Sequence, residues 1–369
     1  TNEGYQFKVS TEIGIHALTV GYRDMEDSES RVQAHEYADQ AADGSLSALY
    51  GYVGLSGSNN RLRESSATSY YLEDTMDFGR LAVTVGYRSE DYDQRHRRWS
   101  DAAGPNLTEV RSGPADVRDT MAYNDHTTSS VGATYELNEN MTLVAGFHEG
   151  MTPMFGAEPE KADNTELGLR YSDGTTNLEV FYFASDYSNL SAECTLVSGA
   201  ACNADESAVF SGGEADVSGI ELSGSWILDG GKGVTYPIAL TYTSTDAEFK
   251  NSSDSDYFGT VAAGDDLPYI PSNQMSLVAG FLTDNGLSGN MRVIDVGSSC
   301  SIAACGTYNQ IHAHRIVDLN LRKALNDAMD VYLIVENVLD GADIISRAPS
   351  EGARSQKPQT TKIGFTYKF

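Results

Sequence analysis

No stretch of this chain stays apolar for the roughly 20 residues that a membrane-spanning helix needs. The longest apolar runs, such as Ser276–Leu282, are only strand-sized. A bundle of spanning helices is therefore excluded. Basic residues are scarce, 25 against 53 acidic ones, for a formal charge of -28. That deficit argues against nucleic acid as a partner, because phosphates would be repelled. It leaves room for a local basic site. Cysteine is used only in two close pairs, Cys194/Cys202 and Cys300/Cys305. No histidine stands at finger-like spacing from them, so small loop disulfides are expected, and with them passage through an oxidising compartment. Catalytic signatures are missing as well. There is no Gly-x-Ser-x-Gly elbow, no Walker loop and no His-Glu-x-x-His, and the chain reads as no enzyme. The opening residues, Thr1–Gly4, carry no signal peptide, so the amino end is expected to be cut.

What is present is strand after strand. Leu18–Tyr22, Leu81–Arg88, Leu167–Tyr171, Leu178–Phe183, Ile220–Trp226, Val317–Arg322 and Val331–Val335 alternate apolar with polar or small residues. Period-two alternation rich in aromatic and β-branched residues marks half-buried strands. A hydrophobic fraction of 40% suits a barrel, in which only alternate residues face lipid. Short turns are expected at 77–79, 138–140, 172–175, 229–233, 284–286 and 326–328. Between them lie long polar connections, near 24–66, 93–127, 150–163, 187–213, 247–272, 296–314 and 340–358. Strict alternation of short and long connections puts every second strand end on the same side, the asymmetry of an outer-membrane barrel. The count is about 15 strands, an odd number that cannot close an even-stranded barrel, so further strands are expected upstream.

The carboxy terminus is the most informative stretch. Ile363, Phe365, Tyr367 and Phe369 share one face, while Lys362, Gly364, Thr366 and Lys368 share the other. Apolar-out, polar-in alternation ending on aromatics fits a closing strand whose tip lies in the periplasmic aromatic girdle.

Several segments resemble the TonB-dependent outer-membrane receptors, especially the ferric-dicitrate receptor branch. They are Tyr70–Asp74 followed by Phe78–Arg88, then Glu158–Tyr171, Gly212–Leu222, Leu267–Pro271, Val335–Asp340, and Gly352–Arg354 with Pro358. The resemblance covers about residues 11–369 and rests on the order of the segments. It implies an all-β transmembrane antiparallel β-barrel of about 22 strands with a plugged lumen. Residues 1–369 would then be the carboxy-terminal part, about 15 strands, without the plug domain. The resemblance further implies transport of a ferric chelate, a siderophore or ferric citrate, energised by the TonB–ExbB–ExbD complex in the bacterial outer membrane, with outer-membrane lipid as the surrounding partner. The chelate would be cargo, and no cofactor is expected. A passive porin-like channel is the alternative.

An anionic chelate suits arginine, whose planar fork presents paired donors to carboxylate oxygens. Two basic clusters flank one hairpin, Arg61 and Arg63 before it, and Arg95, Arg97 and Arg98 beyond it. Both would reach the external side. Asn309 and Gln310 are further ligand-binding candidates, next to His312 and His314, whose His-x-His pair supplies too few ligands for a closed metal site. His148 is the histidine most clearly on a strand. A barrel enzyme built on it is the remaining class.

Overall fold

The computed structural model describes residues 1–32, 35–48, 50–53, 60–99, 111, 113–115, 118–154, 158–193, 209–255, 259–347 and 353–369. One 15-stranded sheet dominates it, each strand hydrogen-bonded to its neighbours in chain order. The strands are β1 (Asn2–Ile13), β2 (His16–Val32), β3 (Asn60–Asp77), β4 (Leu81–Arg98), β5 (Arg118–Asn138), β6 (Met141–Thr152), β7 (Glu160–Ser172) and β8 (Thr176–Glu193). They continue with β9 (Val209–Gly231), β10 (Val234–Phe249), β11 (Asn273–Thr283), β12 (Leu287–Val296), β13 (His314–Ala324), β14 (Met329–Glu336) and β15 (Thr360–Tyr367). Every pairing is antiparallel.

The short turns share one device. An Asp or Asn side chain accepts the backbone N–H two residues on, from Asp77 to Gly79 (2.7 Å), Asn138 to Asn140 (2.9 Å), Asp173 to Thr175 (3.0 Å), Asp229 to Gly231 (2.8 Å) and Asn326 to Ala328 (2.9 Å). The side chain thereby stands in for a backbone turn bond. The first turn, between β1 and β2, has no such residue and uses Gly14 at φ 63°.

Register decides which residues share a face. Val20, Tyr70, Leu72, Val85, Tyr87, Leu167, Tyr182 and Ile220 are all exposed and all fall on one face. Ile363, Phe365, Tyr367 and Phe369 continue that face, with the last two rings 5.2 Å apart. The other face is mostly polar or small, with apolar side chains such as Ile227, Val278 and Ile334 on β9–β15. Three of its aromatic rings cover a neighbouring glycine: Tyr71 over Gly21, Phe181 over Gly168 and Tyr332 over Gly364. A Cβ on Gly168 would stand 2.3 Å from the Phe181 ring, so these glycines are places kept for the aromatics. Across β9–β15 this face lines an open cavity of about 760 Å³ bordered by polar residues such as Asn290, Asn320 and Thr366 and apolar ones such as Ile227, Val278 and Ile334. It is the inner face, and the apolar face is the outer one.

The strands run further than hydropathy predicts. The connection expected at 24–66 begins only after Val32 and ends at Asn60, and β4 continues past Asp93 to Arg98. The outer apolar stripe ends at carboxylates such as Asp163, Asp186 and Asp216, which stand in cross-strand register, but the ladders continue beyond them. Above the apolar band both faces meet water or polar loops, so backbone pairing persists while the alternation that reveals it does not.

External connections also pack. Phe249, Val261 and Ala303 form a small buried core with Leu190 and Leu267 against it. Cys300 and Cys305 are joined in a disulfide beside Ala303. The other candidate pair, Cys194 and Cys202, lies outside the described residues.

Candidate functional site

The turns at one end are short, so function is sought at the other, where β2–β5 continue well past the apolar stripe. There the register aligns four arginines across four strands. Arg31 opposes Arg61, Arg61 opposes Arg98, and Arg98 opposes Arg118. Like charges directly opposite one another destabilise a sheet. One step toward the turns, Glu29, Arg63, His96 and Thr120 form the next row. Arg31, Arg61 and Arg98, and the row below them, belong to the inner face, because the pairing runs without a bulge from Tyr71 and Arg88 up to Arg61 and Arg98.

Burial is graded within this group. His96 is 0% and Arg98 1% exposed, Arg61 is also buried, and Arg63 is half-buried. The Arg61 Nη2 donates to both oxygens of Glu29, at 2.9 and 3.1 Å. Burial pushes the Glu29 carboxyl up, but the Arg61 hydrogen bond and the charges of Arg61, Arg63 and Arg31 outweigh it and leave it below its ordinary 4.5. Arg98 Nε donates to His96 Nε2 at 3.0 Å, and Arg63 Nε lies 3.5 Å from the same nitrogen.

The pleat separates the five arginines singled out from sequence. Arg61, Arg63 and Arg98 face inward together, whereas Arg95 and Arg97 face outward. Arg95 makes a two-pronged bond to Asp119, 2.9 Å at each oxygen, which holds that carboxyl below its ordinary value. Arg97 pairs with Glu64. Trp99, 4% exposed, lies under the guanidiniums of Arg97 and Arg111, 5.9 and 4.6 Å from its ring centre. Arg111 in turn donates to Asn60 Oδ1 (3.2 Å), Ser30 Oγ (3.0 Å) and the Arg61 carbonyl (2.8 Å). This outer assembly ties the β4–β5 connection to the strand tops.

Asn309 and Gln310 stand elsewhere, on the connection between β12 and β13. Gln310 pairs with Cys300 in a two-residue ladder, and Asn309 Oδ1 accepts from Ser301 at 3.4 Å. The register brings neither beside the arginine rows. His314 Nδ1 lies 3.3 Å from the His312 carbonyl, so the His314 ring is turned toward backbone. No group of three or more metal-ligating side chains occurs among the described residues. His148 faces inward between Ser130 and Asn164. Arg31 and Arg118 are the register positions that sequence reasoning missed, while His96 stood inside a basic cluster that it marked.

The profile of the TonB dependent receptor-like, beta-barrel family matches residues 1–338. No curated protein sequence matches the chain. Among solved structures, the ferric-catecholate import receptor Fiu from E. coli, in its closed form, superposes with a TM-score of 0.73 at 18% identity, over 100% of this chain and 54% of that one. The unliganded ferric citrate transporter FecA gives 0.70 at 19% identity, over 99% and 53%. The siderophore receptor PiuA from Acinetobacter baumannii gives 0.73 at 15%, over 100% and 56%. At these identities the likeness establishes the fold, and the chain spans about half the length of each receptor. The antiparallel sheet, its apolar outer face and the family match agree: this chain belongs to the TonB-dependent receptor β-barrel family of the bacterial outer membrane.

Proposed function

We propose that the protein imports an anionic ferric chelate, of siderophore or ferric citrate type, across the outer membrane, energised by the TonB–ExbB–ExbD complex. The observation that carries this reading is the row of arginines in register on the inner face at the external strand ends. In a chain of formal charge -28, such a concentration of cations costs stability and serves an anion. Arg63 is the half-buried member, one step nearer the turns than the buried Arg61 and Arg98. Guanidinium forks match the carboxylate oxygens of a citrate-type chelate. The chemistry is binding and gating, with the ferric chelate as cargo.

The test is growth under iron limitation on defined ferric chelates with the native gene deleted. Loss of growth on at least one anionic chelate is expected, and unchanged growth on every ferric source would sink the iron-uptake reading. Within the site, Arg63→Ala is expected to weaken ferric citrate binding on the order of tenfold, the loss of one charge-assisted contact. Arg95→Ala, facing outward, is expected to leave binding unchanged and remove only an exposed ion pair, with little effect on stability. Equal effects of the two substitutions would reject the site.

A further inference from the structure

We infer that Arg347 is a second anion-binding contact, a guanidinium whose donor edge the fold leaves open for a carboxylate of the cargo. The inference rests on the anionic-chelate reading above and adds a residue from the far end of the sheet. Arg347 is half-buried on the external connection between β14 and β15. Its guanidinium carbon stands 4.4 Å from the centre of the Tyr308 ring, on the connection between β12 and β13.

Five guanidinium–ring stacks occur among the described residues, and in four of them the edge of the guanidinium is taken. Arg80 over Tyr135 donates to the Glu136 and Leu137 carbonyls. Arg97 over Trp99 pairs with Glu64, and Arg170 over Phe181 pairs with Glu179 at 3.1 Å. Arg111, over the same Trp99, donates to Asn60, Ser30 and the Arg61 carbonyl. Arg347 differs. No carboxylate or carbonyl meets its edge among the described residues, and its buried Nε has no hydrogen-bond partner. With 53 acidic side chains in the chain, a counter-charge was easy to supply. Arg354, opposite Ser346 in the short ladder beside Arg347, is exposed and also has no ion pair among the described residues. Stacking occupies the flat face of a guanidinium and leaves its in-plane N–H groups free, the groups that match a carboxylate.

Both sides of the stack are braced. The Cys300–Cys305 disulfide closes the loop before Tyr308, Cys300 pairs with Gln310, and the Asn309 N–H donates to the Gly306 carbonyl at 2.9 Å. Across from it, Ile344–Ser346 pairs with Arg354–Ser355, and the Gln356 N–H donates to the Asp343 carbonyl at 2.9 Å. A cation held in place beforehand loses less freedom on binding. Asn309 and Gln310, which the arginine rows do not reach, adjoin this contact through Tyr308.

The experiment uses the native gene product, purified in detergent and titrated with ferric citrate, with binding read by fluorescence quenching. Arg347→Ala is expected to weaken binding on the order of tenfold, the loss of one charge-assisted contact. Arg347→Lys keeps the charge without the fork and is expected to lose only about threefold. Tyr308→Leu removes the platform and is expected to weaken binding, whereas Tyr308→Phe keeps the ring and is expected to restore it. Urea unfolding and heat-modifiable electrophoretic migration are expected to stay as in wild type for Arg347→Ala. A loss of binding that only accompanies a loss of stability would make Arg347 a brace between connections and overturn the contact. Wild-type binding by Arg347→Ala, with Arg63→Ala weakened, would overturn the role of Arg347 alone. Wild-type binding by both variants would overturn the chelate reading itself.

Discussion

Replacing Asn337 by alanine is expected to cost roughly 3 kcal/mol of stability. Asn337 follows β14, is 3% exposed and sits at φ 49°, in the left-handed region. Its Nδ2 donates to the Gly341 carbonyl at 2.9 Å and the Lys357 carbonyl at 2.8 Å, which ties the start of the β14–β15 connection to its end. Its own N–H donates to Asp318 Oδ1 at 2.9 Å on β13, a bond that alanine keeps. Two part-buried hydrogen bonds are therefore lost, at about 1 kcal/mol each. A Cβ residue other than Asn or Asp in the left-handed region adds about 1 kcal/mol. Asn337→Gly removes that last part, so glycine is expected to be the milder substitution, although a looser unfolded chain takes back some of the gain. Urea-induced unfolding in lipid vesicles measures the difference. An alanine variant within about 0.5 kcal/mol of wild type would refute the hydrogen-bond accounting. A glycine variant worse than alanine would refute the backbone part.

Two further outcomes follow from the faces and the turns. Val85→Arg places a cation on the outer face and is expected to cost about 2–4 kcal/mol, whereas Thr84→Arg, one residue earlier on the inner face, is expected to be tolerated; equal assembly yields for the two in the outer membrane would contradict the register. Asp173, in the β7–β8 turn, is held down to about 2 from 3.8 by the Thr175 and Thr176 backbone N–H bonds and by the Tyr171 and Thr175 hydroxyls. Its folded value lies below its unfolded one, so its contribution is complete above about pH 4 and is lost as pH falls toward 2. Protection of the Thr175 and Thr176 amides against exchange is expected to fall across that window, and Asp173→Asn is expected to abolish the pH dependence.

Much of the sheet is legible from residues that act locally. An Asp or Asn two residues before a turn's backbone N–H specifies that turn whatever surrounds it, which is why the ends near Asp77, Asn138, Asp173 and Asn326 lie where sequence puts them. The outer face of β15 is equally local, because lipid on one side and lumen on the other impose alternation on Ile363–Phe369. The Gly14 turn, with no side-chain acceptor, left no comparable mark.

The arginine site is legible only in part, for two physical reasons. Hydropathy stops marking β4 near Asp93, so Arg95–Arg98 read as a connection in which all could converge. As strand residues they obey a period of two, which sends Arg95 and Arg97 outward to Asp119 and Glu64. The second reason is register. Arg31 and Arg61 are joined through a long connection, and Arg98 and Arg118 through another, so their alignment in one row is a property of cross-strand pairing over a distance that no local pattern encodes. His96 shows the same limit from within a cluster that sequence did mark. Flanked by arginines in the chain, it reads as one more cation. Only the register and the Arg98 Nε–H donated to its ring nitrogen show that it turns inward, away from its chain neighbours Arg95 and Arg97, as a hydrogen-bond acceptor.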